Sequence, residues 1–392
     1  MRYFDYNATA PLLPEARQVW LEALEVHWHN PDSPHGPAAR AHARLEEARE
    51  RLAALLDTVP ESIVFTSGAT EANNAVLADA AAHALPQQRV LVSTIEHPCV
   101  LEPARQFFGP DRCALLPVDA QGRADLTVLE AELARGDLAL VALMAANNET
   151  GVIQPWAEAI ELCQANGVPL LIDAAQWLGK RPAAGLCAAD YVTASAHKFG
   201  GPLGVGLMHV PAARHDFAGL RGGDQEKARR AGTSNYPAIA GLVAALEAME
   251  CRIANEHGIW LERRESFERA VLAGIPEARV LGHEAERLPG TVSLKLPRAD
   301  NLRWVRLLDR RGFALSTGSA CATAKEGPSQ VLAAMGLNAE DARQVVRVSA
   351  GPDTSTDDWQ ALAQALIETA NELRQRQSAD AARSSGSRVI SI

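Results

Sequence analysis

Short apolar runs recur along the first half of the chain, each separated from the next by a stretch with helical spacing. Ser62–Phe65, Val90–Ser93, Leu138–Met144 and Pro169–Ile172 are brief and rich in Val, Ile and Leu, which marks them as buried strands. Between strands, residues such as Ala41, Leu45, Ala48, Leu52 and Leu55 advance by steps of four and three, placing them on one helix face. This alternation leaves few folds open. It predicts an α/β chain with a mostly parallel sheet, covered by helices on both faces.

At 392 residues the chain has room for two or three domains. Glycines crowd the stretch Gly200–Gly223, and a helix is predicted from about Pro237 to Glu256 with Ile239, Leu242, Val243 and Leu246 inward. The texture then changes to a smaller α+β unit. Its parts are strand-like Gly290–Leu296, a loop rich in Gly, Ser and Ala at Thr317–Lys325, strand-like Val345–Ser349 and a last helix. Ser355 is the predicted N-cap of that helix, with Asp358 three residues on and Trp359, Leu362, Leu366, Ala370 and Leu373 on the buried face. From Gln377 the sequence turns to Ser, Ala, Arg and Gly, the composition of a disordered tail.

Composition excludes several classes of function. Lys plus Arg number 38 against 48 Asp plus Glu, a net charge of −10 without a long basic block, which argues against nucleic acid as a partner. The longest uncharged apolar stretch, Leu138 to Ala146, is too short to cross a bilayer, and Asp5 interrupts any signal-peptide core. A cytoplasmic protein is expected. The six cysteines form no C-x-x-C pair and suggest no disulfide framework, so most are expected to be small buried hydrophobes. His27, His29, His35 and His42 lack ligand periodicity and carboxylate partners, so no metal is expected.

Several segments carry chemistry, each with a bland alternative. Phe65–Glu71 follows a strand and opens a helix, so the free N–H groups around Ala69 and Thr70 suit a phosphate, or simply an ordinary helix cap. Asp173 ends a buried strand, where ligands bind in open α/β sheets. It would pair with a cationic ring nitrogen, or serve as a structural cap. Lys198 follows an apolar strand with Ser195, His197 and glycines beside it. It is a Schiff-base lysine or a solvated surface one. His97 and the pair Asn147–Asn148 also follow strands, as catalytic groups or as turn residues. A phosphate cradle, an acid, a lysine and an imidazole beyond the strand ends of one sheet together describe a pyridoxal phosphate pocket.

Asp5–Thr9, Asn30–Ser33, Thr66–Asn74, Glu96–His97, Asn147–Glu149, Asp173–Gln176 and Ser195–Lys198 resemble the cysteine desulfurases, NifS/IscS-like members of the class V aminotransferases. Gln225–Glu226, Arg230–Thr233, Gly318–Cys321 and Arg347–Ser349 extend the resemblance, which runs from about residue 3 to residue 373. It implies the type I fold of pyridoxal 5′-phosphate enzymes. A large cofactor-binding domain would span 15–257, a small α+β domain 1–14 and 258–376, and a disordered tail 377–392. The family's roles then fall on this chain as expectations. Lys198 would hold the cofactor and move the substrate α-proton, Asp173 would pair with the ring nitrogen, and Gln176 would bond the ring oxygen. His97 would stack on the ring, Asn148 would position ring and substrate, and Ala69, Thr70, Ser195 and His197 would bind the phosphate. Thr233 would reach in from the second subunit of a homodimer, and Arg347 would clamp the substrate carboxylate, which a guanidinium fork suits.

The implied activity removes sulfur from L-cysteine, giving L-alanine and a persulfide on Cys321 for a sulfur-acceptor protein. That acceptor would serve iron–sulfur cluster assembly, tRNA thiolation or thio-cofactor synthesis. A selenocysteine lyase, or another class V lyase or transaminase, is the alternative. The small-residue segment Ser316–Lys325 suits a mobile carrier of a reactive thiolate. Two features depart from the family. Pro352 stands where an arginine is often found, leaving Arg347 as the carboxylate candidate, and the tail lacks the aromatic and acidic ending of desulfurases that dock an iron–sulfur scaffold.

Overall fold

The computed structural model describes residues 1–318 and 329–386. In chain order the strands are β1 (Arg2–Tyr3), β2 (Ile63–Thr66), β3 (Arg89–Ser93), β4 (Cys113–Leu116), β5 (Leu138–Met144) and β6 (Leu170–Asp173). They continue as β7 (Tyr191–Ser195), β8 (Gly206–His209), β9 (Arg279–Val280), β10 (Thr291–Lys295), β11 (Phe313–Ala314) and β12 (Val345–Ser349). Seven of them form one sheet in the order β2-β8-β7-β6-β5-β3-β4, within which β8 alone runs antiparallel to its neighbours. All four strands expected from the apolar runs are present in it.

The central strands are continuous apolar runs because both faces of the sheet are covered. Alternate residues point to opposite sides, as a pleat requires. Val141, Leu143, Ile172, Val192 and Leu207 pack on one side with Leu52, Leu242 and Leu246, while Leu140, Ala142, Leu171 and Met208 pack on the other with Val76 and Val100. The helix Gly36–Leu55 buries Ala41, Leu45, Ala48 and Leu52, the stripe that its sequence spacing predicts.

A second hydrophobic cluster surrounds the three-stranded sheet β12-β10-β9, with Trp304, Leu308, Trp359, Leu362 and Leu366 buried against it. Phe4 lies in the same cluster, and β1 pairs in parallel with β11, so the start of the chain packs beside its end. The last helix begins as expected. The hydroxyl of Ser355 accepts from the Asp358 N–H at 3.1 Å, and the Asp358 carboxylate accepts from the Ser355 N–H at 3.0 Å.

Two helices outrun their sequence signals. The one expected to end near Glu256 spans Tyr236–Gly274. Its first half packs Ile239, Leu242 and Leu246 on the large sheet, and beyond Trp260 a second stripe, Phe267 and Val271, packs on the small one. The terminal helix spans Thr356–Gly386, so 377–386, expected as part of a disordered tail, continue it. The Ala, Arg and Gln residues there are good helix formers, and no Pro or internal Gly interrupts them. The remainder of the expected tail, 387–392, lies outside the described residues. The cysteines also differ from expectation. Among the five described, Cys163 is buried, Cys99, Cys113 and Cys187 are half-buried, and Cys251 is exposed.

Candidate active site

The carboxyl ends of the parallel strands bring the expected residues to one edge of the sheet. Asp173 is the last residue of β6, Ser195 the last of β7, and Lys198 follows directly in a short 3-10 turn. His97 follows β3 as N-cap of the helix Pro98–Phe108, its Nδ1 accepting from the Cys99 N–H at 3.2 Å. The turn after β5 carries Asn148, while the Asn147 carboxamide oxygen accepts from the Glu149 and Thr150 N–H groups. After β2 the chain passes through Gly68 into the fifteen-residue helix Ala69–His83. A Cβ on Gly68 would stand 3.1 Å from the Ser195 hydroxyl, and that hydroxyl accepts from the Ala69 N–H at 2.8 Å.

The Lys198 ammonium donates to the main-chain oxygens of Asn7 and Ala8 at 2.9 and 2.8 Å. Gln176 donates to the same Asn7 oxygen at 3.0 Å, so the first residues of the chain form a wall of the site. Asp173 is 6% exposed, accepting from Asn73 at 2.9 Å and from the Ala175 N–H at 2.9 Å. Burial holds His97 below the ordinary histidine range. Asp173 opposes that shift and Lys198 reinforces it, which shows all three sharing one field. His197 bonds Thr9 through Nδ1 at 3.1 Å, and burial together with Lys198 brings it down to about 4.

Arg347, 2% exposed on β12, closes the site from the smaller unit. It pairs with Asp5 at 2.6 Å and donates to the carbonyls of Asn148 and Gly318, each at 3.0 Å. Its Nε is buried without a partner among the described residues. A donor held there, on a fork aimed at the Asn148 turn, suits a carboxylate.

The class-V aminotransferase family model matches residues 2–362. The chain belongs to the class-V aminotransferase family. Within it, the cysteine desulfurase of Cereibacter sphaeroides is 36% identical over 376 residues, covering 95% of this chain and 96% of that one. The cysteine desulfurase of Mus musculus is 33% identical over 380 residues, 95% of this chain and 82% of that one. A solved NifS-like protein superposes with a TM-score of 0.85 at 30% identity, over 94% of this chain and 99% of its own. A second, from Rickettsia africae, gives 0.83 at 28% identity over the same shares.

As a class-V aminotransferase the chain is a pyridoxal 5′-phosphate enzyme of fold type I. The residues present fit that cofactor. An amine, a buried carboxylate, an imidazole and a hydroxyl converge beside a helix N-terminus that a glycine leaves open to close approach. One expected residue stands apart. Thr233 lies with Thr66, Ser67, Gly204 and Arg230 in a cleft whose walls do not include Lys198. Cys321 lies outside the described residues.

Sequence reasoning had Asp5, Asn7, Asn73, Glu96 and Glu149 only as parts of motifs, with no role assigned, and missed Lys180. Lys180 donates to Asn7 Oδ1 at 2.8 Å and to Gln176 Oε1. Burial, then Lys198 and Arg347, push its ammonium well below the ordinary lysine range. Glu149 accepts from Ser329 at 2.6 Å and sits against Gly318, touching both sides of the segment that holds Cys321. Glu96 is enclosed with one oxygen unpartnered, and burial, then Asp173, raise it well above the carboxylate range. No sequence signal distinguishes these from cap and turn residues, because most of the contacts that place them in the site are far apart in sequence, such as Asn73 to Asp173, Glu149 to Ser329 and Lys180 to Asn7.

Proposed function

We propose that the chain is a cysteine desulfurase, converting L-cysteine to L-alanine and leaving the sulfur as a persulfide on Cys321. The observation that carries this reading is the convergence of Lys198, Asp173, His97 and the Ala69 helix N-terminus at one sheet edge, with Arg347, whose Nε has no partner among the described residues, on the Asn148 turn.

Joined to Lys198, pyridoxal phosphate supplies an electron sink that loosens the bonds at the substrate's α-carbon. Asp173 would pair with the ring nitrogen, and Gln176 would bond the ring oxygen. Ala69 and Thr70 at the helix N-terminus, with Ser195 and His197, hold the phosphate. His197, down at about 4, is neutral at pH 7 and can share a proton on either ring nitrogen. Arg347 takes the substrate carboxylate alongside Asn148, which fixes the α-carbon beside the lysine. The Lys198 amine would take up the substrate α-proton and hold it for return. His97, lowered by burial and in the field of Asp173 and Lys198, would stack on the ring and relay protons. The Cys321 thiolate then attacks the substrate sulfur. A sulfur–sulfur bond forms as the carbon–sulfur bond breaks, and the β-carbon takes up a proton to give alanine.

The working form is a homodimer in the cytoplasm that passes its sulfur to an acceptor protein. Support comes from Thr233, which sits away from Lys198 in its own chain and would complete the phosphate site of a second copy. Among the described residues no helix is long and apolar enough to cross a membrane.

The test is product analysis. Holoenzyme with L-cysteine and a thiol reductant is expected to form alanine and sulfide in equal amounts. Cys321→Ser should keep the absorbance change on adding cysteine yet release no sulfide, and undiminished sulfide from that variant overturns the assignment of the nucleophile.

A further inference from the structure

Behind Asp173 lies a fully enclosed relay that reaches neither surface nor substrate. Thr193, on β7, pairs in register with Asp173 on β6, and its hydroxyl donates to Asn73 Oδ1 at 2.6 Å. Asn73, on the helix Ala69–His83, donates through Nδ2 to Asp173 Oδ2 at 2.9 Å and to the Cys99 sulfur at 3.3 Å. The Ala175 N–H donates to Asp173 Oδ1 at 2.9 Å, so both carboxylate oxygens are held from the chain side. Asn73 and Thr193 are each 0% exposed.

The orientation of the Asn73 amide is determined by its two neighbours. A threonine hydroxyl can donate to its oxygen, and a carboxylate can only accept from its nitrogen. Reversed, the amide would turn an oxygen toward a carboxylate in a buried site, which is costly. The neighbouring Glu96 shows the contrast, with, among the described residues, a single main-chain donor on one oxygen and none on the other. Of two nearby acids, the one given donors on both oxygens is the one at the end of β6.

We propose that Asn73 and Thr193 are positioning residues that aim the Asp173 carboxylate at the ring nitrogen of pyridoxal phosphate. This rests on the reading of Asp173 above, and it places the control of the ring's electronic character in a threonine–asparagine pair that never touches the cofactor.

The experiment compares two cofactors on the same proteins: pyridoxal phosphate, and its isostere with carbon in place of the ring nitrogen. Dissociation constants are measured on the full chain by the visible absorbance of the bound form. Asp173→Ala calibrates the assay, losing affinity for the natural cofactor far more than for the isostere. Asn73→Ala is expected to bind pyridoxal phosphate about tenfold more weakly, the scale of one hydrogen bond to a charged group, and the isostere with less than about a twofold change. Thr193→Val should change in the same direction by less, and Thr193→Ser, which keeps the hydroxyl, should match the parent. Equal losses for both cofactors in Asn73→Ala, while Asp173→Ala still discriminates, overturn the relay. If Asp173→Ala does not discriminate either, the Asp173 reading itself fails and the relay with it.

Discussion

Replacing Arg347 with alanine separates its structural role from its binding role, because the two predict different magnitudes in different assays. The guanidinium is 2% exposed and holds Asp5 at 2.6 Å and the carbonyls of Asn148 and Gly318 at 3.0 Å. Breaking a buried pair by removing one partner costs about 3–5 kcal/mol, mostly because the other charge is left unpaired. Asp5 is partly open to solvent, with a side chain 23% exposed, so the lower end of that range applies. Against a melting entropy of roughly 2 cal/mol/K per residue, such a loss lowers Tm by about 4 °C if the chain unfolds as one unit. The protein therefore stays folded at 25 °C. The binding role shows in a different assay. A charge-assisted fork on a carboxylate contributes about 1.5–3 kcal/mol, so the KM for L-cysteine should rise roughly 10- to 100-fold. Arg347→Lys, which keeps the charge and loses the fork, should fall between, and Asp5→Asn should lower Tm with little change in KM. Steady-state kinetics with alanine as the measured product, beside a thermal melt of each variant, provide both numbers. A folded Arg347→Ala enzyme with an unchanged KM would show that another group holds the carboxylate.

Asp173→Ala should lower kcat by about a hundredfold or more while Tm moves by only a few degrees, since the group acts on developing charge rather than on packing. A variant retaining full activity would remove the proposed partner of the ring nitrogen. Stability should also fall in acid. His209 on β8 is 5% exposed, and burial holds it at about 4 against an ordinary 6.5. The unfolded chain thus takes up the proton first. The stabilisation is complete above about pH 6.5 and fades as the pH drops toward 4, by about 3 kcal/mol from this residue. His97 and His197 shift in the same direction and steepen the slope. Chemical denaturation across that interval should show the decline, and His209→Gln should flatten it by about one proton; a parent protein equally stable at both ends would contradict the assignment.

How much of this was legible beforehand depended on the range of the interaction. The apolar run at Leu138–Met144 announced its strand to the residue, because a parallel strand covered on both faces has to be continuously apolar, and the valine-rich Val345–Ser349 announced β12 to the residue as well. The Ser355–Asp358 cap was legible because its two hydrogen bonds close within three residues. Helix ends were harder. The helix runs on past Glu256, and its stripe of Phe267 and Val271 acquires its meaning only once β10 and β12 supply a surface to pack on. Lys198, Asp173 and His97 could be named because each follows a strand, where an open parallel sheet exposes its ligand edge. Asn73 could not. One position along, Asn74 carries the same side chain and spends it on the Thr70 carbonyl of its own helix. Only the helix phase, set by packing on β6 and β7, turns one toward Asp173 and the other toward solvent.

The most direct measurement follows the sulfur itself. Holoenzyme incubated with sulfur-labelled L-cysteine, without reductant, and then digested under conditions that preserve persulfides should carry one labelled peptide, the one containing Cys321, and none when Lys198 is replaced by alanine. Label on the exposed Cys251, or an unlabelled protein that nevertheless forms alanine, would contradict the account.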